Sequence, residues 1–529
     1  MSGAAPAEPD PTPSASTEAE GPAWLTLAPS TVAVTALLLF GACLGTSALI
    51  VVPVWLGGDH GPLTLVLCLA GTVVVTGVSA VADRLRWRTT RYRLTGQRLE
   101  MHSGILFKRR RSLARERIRN VDLTAHLLLR MFGLVRLSLG TGEKVTEGTG
   151  QSIVLDPIPR ADGERLRAEL LRRETLEPAA AGPEALARWS PAWIRYAPVS
   201  VFTLLFSVGA AGGIFQVADW AGVPALPVEW ASEITDRIGA WPALLAAIVV
   251  FVLVGAVAMT ALWVESWWGY RLERSEQALR VHRGLLTSRS ISFETSRIRG
   301  VELVEPLGIR TSGAARLDVV ATGLRADAEK QDSATLVPGA PRATPIRVAE
   351  TILGQQWPQT LRAHPAAARR RRLVRAAALI AGLLALAAGV VVLLHPTAFW
   401  TSVIAVTTLA GSGLAVAVAL DSARNLGHQL TATYLVARRG SIRRGTVALD
   451  RSGIIGWRVQ QSIFQRRAGV LTLTATTAAG RGRYSVVDVA TTAGLALAEE
   501  AVPRLLTPFL EREVGSTQER TGVGTGIGA

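Results

Sequence analysis

The segment Arg117-Ile118-Arg119-Asn120-Val121-Asp122-Leu123, with Leu127, Arg130, Gly133, Arg136 and Leu137 behind it, returns 180 residues later. There it reads Arg297-Ile298-Arg299-Gly300-Val301-Glu302-Leu303, followed by Leu307, Arg310, Gly313, Arg316 and Leu317. From Gly104 to Leu139, 14 of 36 columns are identical at that shift. That is too many for composition alone, so the chain contains copies of one unit. A third, more diverged copy lies at a shift of 336. It brings Leu430, Thr431, Leu435, Gly440, Leu449, Arg451, Ile454, Arg466, Gly469 and Leu473 onto Leu94, Thr95, Leu99, Gly104, Leu113, Arg115, Ile118, Arg130, Gly133 and Leu137. In this copy the Arg-Ile-Arg triplet has become Gly453-Ile454-Ile455, and His428 replaces the opening Tyr92 and Tyr270.

Each copy has a period of two. Leu99 and Met101, Leu279 and Val281, Val121 and Leu123, Leu137 and Leu139, Leu317 and Val319, and Leu471 and Leu473 are each separated by one polar residue, the mark of strands with one buried face. Turn residues break the runs at Thr95-Gly96-Gln97, Ser103-Gly104 and Gly140-Thr141-Gly142. Leu166, Leu170 and Leu171 share one helical face, as Leu495, Val502 and Leu506 do approximately, so a helix closes at least the first and third copies. The predicted unit is a small, strongly bent sheet with a terminal helix.

Working outward, two apolar stretches precede every copy: 31–56 and 62–82, 198–218 and 242–264, 376–394 and 400–420, all free of Asp, Glu, Lys and Arg. About 20 such residues cross a hydrocarbon core, and one charge at the centre costs about 2.5–3.5 kcal/mol. Six spans in three hairpins are expected, in keeping with 49% hydrophobic residues and a mean hydropathy of +0.29. The acidic, Pro- and Ala-rich leader and the closely following second span argue against a cleaved signal. Arg84, Arg86, Arg88, Arg91 and Arg93 follow the second span, and Arg369 to Arg372 with Arg375 precede the fifth. The connections 57–61 and 395–399 lack Lys and Arg, and 219–241 holds only Arg237. The positive-inside rule then places both termini and all three copies on the cytoplasmic side of the plasma membrane. Most of the net charge of +16 is assigned to this topology, and no nucleic-acid partner is expected.

The order Tyr-x-Leu, an Arg/Gly hairpin, Arg-Ile-Arg-x-Val-(Asp/Glu)-Leu and Arg-x-x-Gly-x-x-Arg-Leu, directly after paired spans, resembles the bacterial pleckstrin-homology (PH) domain of YdbS/YdbT-type membrane proteins. The resemblance extends over nearly the whole chain beyond residue 30 and is weakest in the third copy. It implies, for each copy, a bent β-barrel closed by a C-terminal helix, with no catalytic residues.

The remaining motifs are sparse in chemistry. Cys43 and Cys68, the only cysteines, fall inside the first two spans, so neither a disulfide framework nor a Cys-x-x-Cys metal site is available. The seven histidines form no His-x-x-x-His pattern; no metal, cofactor or catalytic residue is assigned. His102 and His282 read as surface strand residues, and the Gly140 and Gly148 Gly-Thr-Gly runs as turns. The sharpest candidate is the basic hairpin Lys108-Arg109-Arg110-Arg111, near Arg115, Arg117 and Arg119 and echoed by Arg438, Arg439, Arg443 and Arg444. Each cation beside an anionic bilayer contributes about 1 kcal/mol, so these four residues are candidate contacts for anionic lipid headgroups. A solvated face with topology bias is the plainer alternative. Copy 2 offers only Arg283 and Arg289 there. Arg130, Arg310 and Arg466, each three residues before Gly133, Gly313 and Gly469, are expected to be structural: an Arg reaching carbonyls or a carboxylate, then a Gly whose φ the turn demands.

The expected division is a disordered tail (1–30), hairpin 1 (31–82), PH-like domain 1 (86–174), hairpin 2 (196–264), domain 2 (268–358), hairpin 3 (376–420), domain 3 (424–512) and a disordered tail (513–529). The expected role is a non-enzymatic scaffold or regulator acting through lipid headgroups, protein partners or self-association. The alternative is a six-helix transporter or permease with cytoplasmic accessory domains. Against it, the spans lack mid-membrane charge, although Gly212-Gly213 and Gly411-Ser412-Gly413 leave room for close helix packing.

Overall fold

The structure, a computed structural model, describes residues 24–506 and 508 apart from 57–61, 96–97, 105–107, 115–117, 119, 141–152, 172–183, 201 and 324–333. The alternating segments become three modules of seven strands. Module 1 contains β1 (Leu25–Thr26), β2 (Arg91–Leu94), β3 (Arg98–Ser103), β4 (Arg109–Ala114), β5 (Asn120–Ala125), β6 (Leu134–Gly140) and β7 (Ile153–Pro159). Module 2 contains β8 (Glu184–Arg188), β9 (Arg271–Arg274), β10 (Ala278–Arg283), β11 (Ser288–Glu294), β12 (Ile298–Pro306), β13 (Ala314–Ala321) and β14 (Thr335–Pro341). Module 3 contains β15 (Arg362–Ala363), β16 (Gly427–Leu430), β17 (Tyr434–Arg439), β18 (Arg443–Asp450), β19 (Gly456–Gln460), β20 (Val470–Thr476) and β21 (Arg483–Ala490).

The helices are α1 (Thr31–Leu56), α2 (Pro62–Thr89), α3 (Leu127–Met131), α4 (Arg160–Leu171), α5 (Phe202–Trp220), α6 (Leu226–Ile238), α7 (Ala240–Trp267), α8 (Leu307–Thr311), α9 (Ala343–Leu353), α10 (Ala366–Leu394), α11 (Ala398–Arg424), α12 (Ile463–Arg467) and α13 (Thr491–Ala501). The long helices pack as α1 with α2, α5 with α7, and α10 with α11. Among the described residues α1, α2, α7, α10 and α11 are long and apolar enough to cross a membrane. Helix α5 is shorter and carries Gln216 and Asp219 near its end. It nevertheless lies tight against α7: a Cβ on Gly255 would stand 2.1 Å from Ser207 Oγ and 2.3 Å from the Thr203 carbonyl. The connection expected at 219–241 contains α6, with Val228, Trp230, Ile234 and Ile238 exposed beside Glu229, Glu233 and Arg237.

Each module's first strand lies upstream of its hairpin. Leu25 pairs with Tyr92, Arg188 with Arg271 and Arg362 with His428. The hairpins are therefore insertions between strands one and two, which corrects modules drawn as 86–174, 268–358 and 424–512 and a tail drawn as 1–30. Strands of two to five residues are too short to show alternation. Residues 1–23 and 513–529 lie outside the described residues.

The helix ends are built into the modules. At 28 residues, α7 measures about 42 Å, longer than a ~30 Å core. Its last turns place Trp263 and Trp267 in the module 2 core beside Tyr270. In module 1 the Trp87 indole donates to the Leu27 carbonyl at 2.8 Å. In module 3, Arg371 and Arg372 at the start of α10 bind buried Asp488. Part of the arginine clustering assigned to topology thus holds helices to sheets.

Strands β1–β4 form one antiparallel sheet and β5–β7 begin another, with α4, α9 and α13 closing the three modules. Single 3₁₀ turns, Thr295–Arg297 and Arg451–Gly453, bend the chain from the first sheet to the second in modules 2 and 3. The bent β-barrel expected of each copy is not closed by pairing of β4 with β5, which lie in different sheets among the described residues. Instead β5 pairs with β11 of module 2, and β12 with β18 of module 3, making two seven-stranded sheets that cross module boundaries. The sheet register also corrects one alignment. Tyr92 faces Met101, and its equivalent facing Val281 is Leu272, so Tyr270 lies two residues earlier on the same side of the sheet.

Candidate functional site

The two junctions have the same geometry. Leu123 faces Ser290 and Val121 faces Ser292 in the first; Leu303 faces Thr446 and Val301 faces Ala448 in the second. With the repeat shifts removed, these are identical registers.

The recurrent Arg/Gly column stands beside them. Gly133, Gly313 and Gly469 have φ of 66°, 73° and 61°, a conformation that favours glycine. Each N–H is bonded back to the carbonyl three residues earlier, and each carbonyl accepts from the first residue of the closing helix or the residue just before it: Arg160, Arg342 and Thr491, at 2.9–3.1 Å. The arginines of this column reach into the next module. Arg130 Nη1 donates to the Leu285 carbonyl at 3.1 Å, at the β10–β11 hairpin tip, and Arg310 Nη2 donates to Asp421 Oδ2 at 2.8 Å, on α11. Sequence reasoning left the module of these partners open, because alternation carries no information about which module a partner belongs to.

The second junction is filled. Glu305, 1% exposed, accepts from Arg444 at 2.6 and 2.8 Å and from Arg342 at 3.0 Å. Both oxygens of Glu302 accept from Arg481 at 2.6 Å. Val436 and Ala448 of module 3 belong to the module 2 core, and Val320 of module 2 to the module 3 core. Arg438 and Arg439 are lowered in pKa, by burial first and then by neighbouring arginines. The copy 3 arginines that echoed the basic hairpin are thus junction residues.

The first junction is open. Module 1 keeps a core of its own, from Leu27 to Leu170. Counted from the residue that donates to the recurrent glycine, Arg167 on α4 occupies the position of Ala349 on α9. Arg167 is 5% exposed, and its guanidinium donates to Ser290 Oγ at 2.7 Å and to Ser292 Oγ. Its Nε has no partner, and among the described residues no carboxylate lies within ion-pair distance. Burial, and then the charge of Arg280, push it down to about 10. Burial and then Arg167 lower His282, which was expected on the surface. A cleft of about 620 Å³ opens here.

Of the lipid candidates, Arg109, Arg110 and Arg111 lie in strand β4 rather than at a hairpin tip, with Lys108 just before it. Lys108, Arg110 and Arg111 are exposed, whereas the Arg109 side chain lies outside the described residues. Among the described residues β4 pairs with β3 alone. Arg111 stands where the second and third copies bury Ile291 and Val447 in the junctions. Among the described residues the Arg466 side chain makes no hydrogen bond or ion pair, although its backbone closes the same turn. Arg117 and Arg119 lie outside the described residues.

Comparison with known proteins agrees with the threefold repeat. The bacterial PH domain profile matches residues 35–174, 208–356 and 375–499, well over half of the chain. The "UPF0699 transmembrane protein YdbT" of Bacillus subtilis (strain 168) is 21% identical over 272 residues, covering 48% of this chain and 54% of that protein. The chain thus spans about half the length of this curated relative. No solved structure matches. The chain belongs to the bacterial PH domain family.

Proposed function

We propose that this bacterial PH-domain protein is a non-enzymatic membrane scaffold, in which six spans in three hairpins hold a rigid three-module β-array against the cytoplasmic face. The observation that supports it most is the repeated register of the two junctions, which joins the modules through backbone hydrogen bonds rather than flexible linkers. Anchoring of Trp87, Trp267 and Arg372 in the module interiors extends that rigidity to the spans. The exposed β4 edge, with Lys108, Arg110 and Arg111, is the surface for anionic headgroups or an acidic protein partner. The absence of charged residues from the expected apolar spans favours this reading over a transporter.

The test has two parts. Small tags inserted at 178, 328 and 515 are expected to report the cytoplasm, and tags at 59 and 222 the opposite side. Spin labels on β3 and β20 of the intact protein in nanodiscs are expected to give one narrow distance distribution. A module tag on the far side sinks the topology, and a broad distribution sinks the rigid array.

A further inference from the structure

The cleft at the first junction has the composition of an anion site. Arg130, Arg160, Arg167, Arg280, Arg283 and Arg289 line it, from both modules. Glu164 is the single carboxylate among the lining residues, and it is already paired with Arg160 at 3.0 Å. Elsewhere in this chain, arginines gathered at a junction meet acids: Glu305, Glu302 and Asp421 at the second junction each accept from at least one. A buried guanidinium is costly unless charge and hydrogen bonds compensate it. The direct partners of Arg167 are two serine hydroxyls, its Nε points to no acceptor, and Glu164, Asp122 and Glu273 act on it only from beyond ion-pair distance. The missing partner is an acceptor with negative charge and several oxygens. Planar guanidinium forks match phosphate oxygens in this way.

Location narrows the source. The cleft includes Trp268 and Gly269 at the end of α7, and the β10–β11 hairpin tip, whose Leu285 N–H donates to the Glu265 carbonyl at 2.8 Å. Trp268, Leu285 and Leu286 are exposed beside it. Apolar side chains next to a helix end, with arginines behind them, suit a phosphate at the depth of lipid headgroups.

We propose that the cleft between modules 1 and 2 is a phosphate-binding site, in which Arg167 and Arg280, on the face of β10 and β11 that carries Ser290 and Ser292, coordinate a phosphate group that joins the two modules, while Arg289 adds positive charge at the rim from the other face of β11. The site is separate from the β4 edge. It depends on the scaffold reading only where the phosphate is a lipid's, since binding of free phosphate is independent of orientation.

The test uses the full chain in nanodiscs of phosphatidylcholine, with inorganic phosphate titrated calorimetrically, and in nanodiscs containing phosphatidic acid, with retained lipid counted by native mass spectrometry. Arg280 and Arg289 are exposed, so Arg280→Gln with Arg289→Gln removes charge without disturbing the fold. Unchanged hydrogen-exchange protection of β5 and β11 verifies that. The expected result is saturable binding weakened roughly tenfold or more in the double variant, and binding by Glu164→Gln at least as tight as in the parent. Binding of free phosphate that competes with the lipid identifies the phosphate group alone as sufficient. Retention of phosphatidic acid without response to free phosphate identifies a headgroup site that also uses the apolar rim. Absence of binding in both arms, or a double variant equal to the parent, overturns the proposal.

Discussion

The first and second junctions share one backbone register and differ in what fills it. Around β12 and β18, buried Glu305 and Glu302 meet arginines from both sides, and valines from each module enter the other's core. Around β5 and β11, a buried arginine meets two serines, the cores stay separate and a cleft remains. Strand pairing is set by the repeated pattern, which both junctions inherit. Whether a junction is a solid joint or a binding site depends on a few side chains, such as Arg167 in place of Ala349 and Ala125 in place of Glu305.

The largest expected effect falls on the filled junction. Glu305→Ala strands the largely buried Arg444, and releases the half-exposed Arg342, and should cost about 3–5 kcal/mol, read as lost exchange protection in β12 and β18 of the intact protein. Unaltered protection would show the ion pairs to be incidental to that joint. Next come Gly133→Val and Gly313→Val. An added Cβ meets nothing within 4 Å at either position, so the cost is backbone strain alone, about 1–3 kcal/mol and alike in the two junctions. Unequal losses by denaturant unfolding would show that the shared turn is not equivalent. Arg167→Ala gives the first junction the second one's residue and leaves Ser290 and Ser292 without their donor, at about 1–3 kcal/mol. Adding Ser292→Ala, which copies Ala448, should recover part of this in thermal unfolding; no recovery would refute the equivalence.

Acid should act elsewhere. His364 Nε2 and His428 Nδ1 are 3.0 Å apart in module 3, and burial, then His364 and Arg362, lower His428 to about 4. Both are depressed, so below about pH 6.5 the unfolded chain binds more protons than the fold. Their contribution is complete above that pH and is lost as pH falls toward about 4. Exchange at β16 should rise in that window before either junction loosens, and His428→Gln should flatten the response. The smallest effect is that of Glu164→Gln on stability, below about 0.5 kcal/mol for an exposed i,i+4 pair. A larger loss in thermal unfolding would mean that Glu164 holds the cleft together.

The repeat and its strands were legible because alternation and the Arg/Gly column are local properties, and all three glycines adopt the left-handed conformation the spacing demanded. The long apolar runs were legible because twenty uncharged residues have few other uses. The first strands were not, since Leu25–Thr26 and Arg362–Ala363 are too short to show a period. Nor was the sharing of sheets: Val121 alternates in the same way whether its neighbour strand belongs to module 1 or to module 2. Arg167 lies beside Leu166 and Leu170 on the closing helix, and the helical period says nothing of β11 of the next module, whose Ser290 and Ser292 it binds. Only its departure from the small residue at the matching place in copy 2 could have marked it.

The insertion of a hairpin between the first and second strands of every module also sets an order of manufacture. The ribosome releases β8 before α5, α6 and α7, and β9 only after them, so the sheet of module 2 has no second strand until its hairpin has been synthesised. Domains generally fold as units from the N-terminus during synthesis; here each unit waits on membrane integration and then offers β5 or β12 as a template for the next. Assembly thus proceeds as a ratchet, in which a module whose helices fail to integrate leaves its predecessor with an open strand edge, the kind of surface on which nascent chains aggregate.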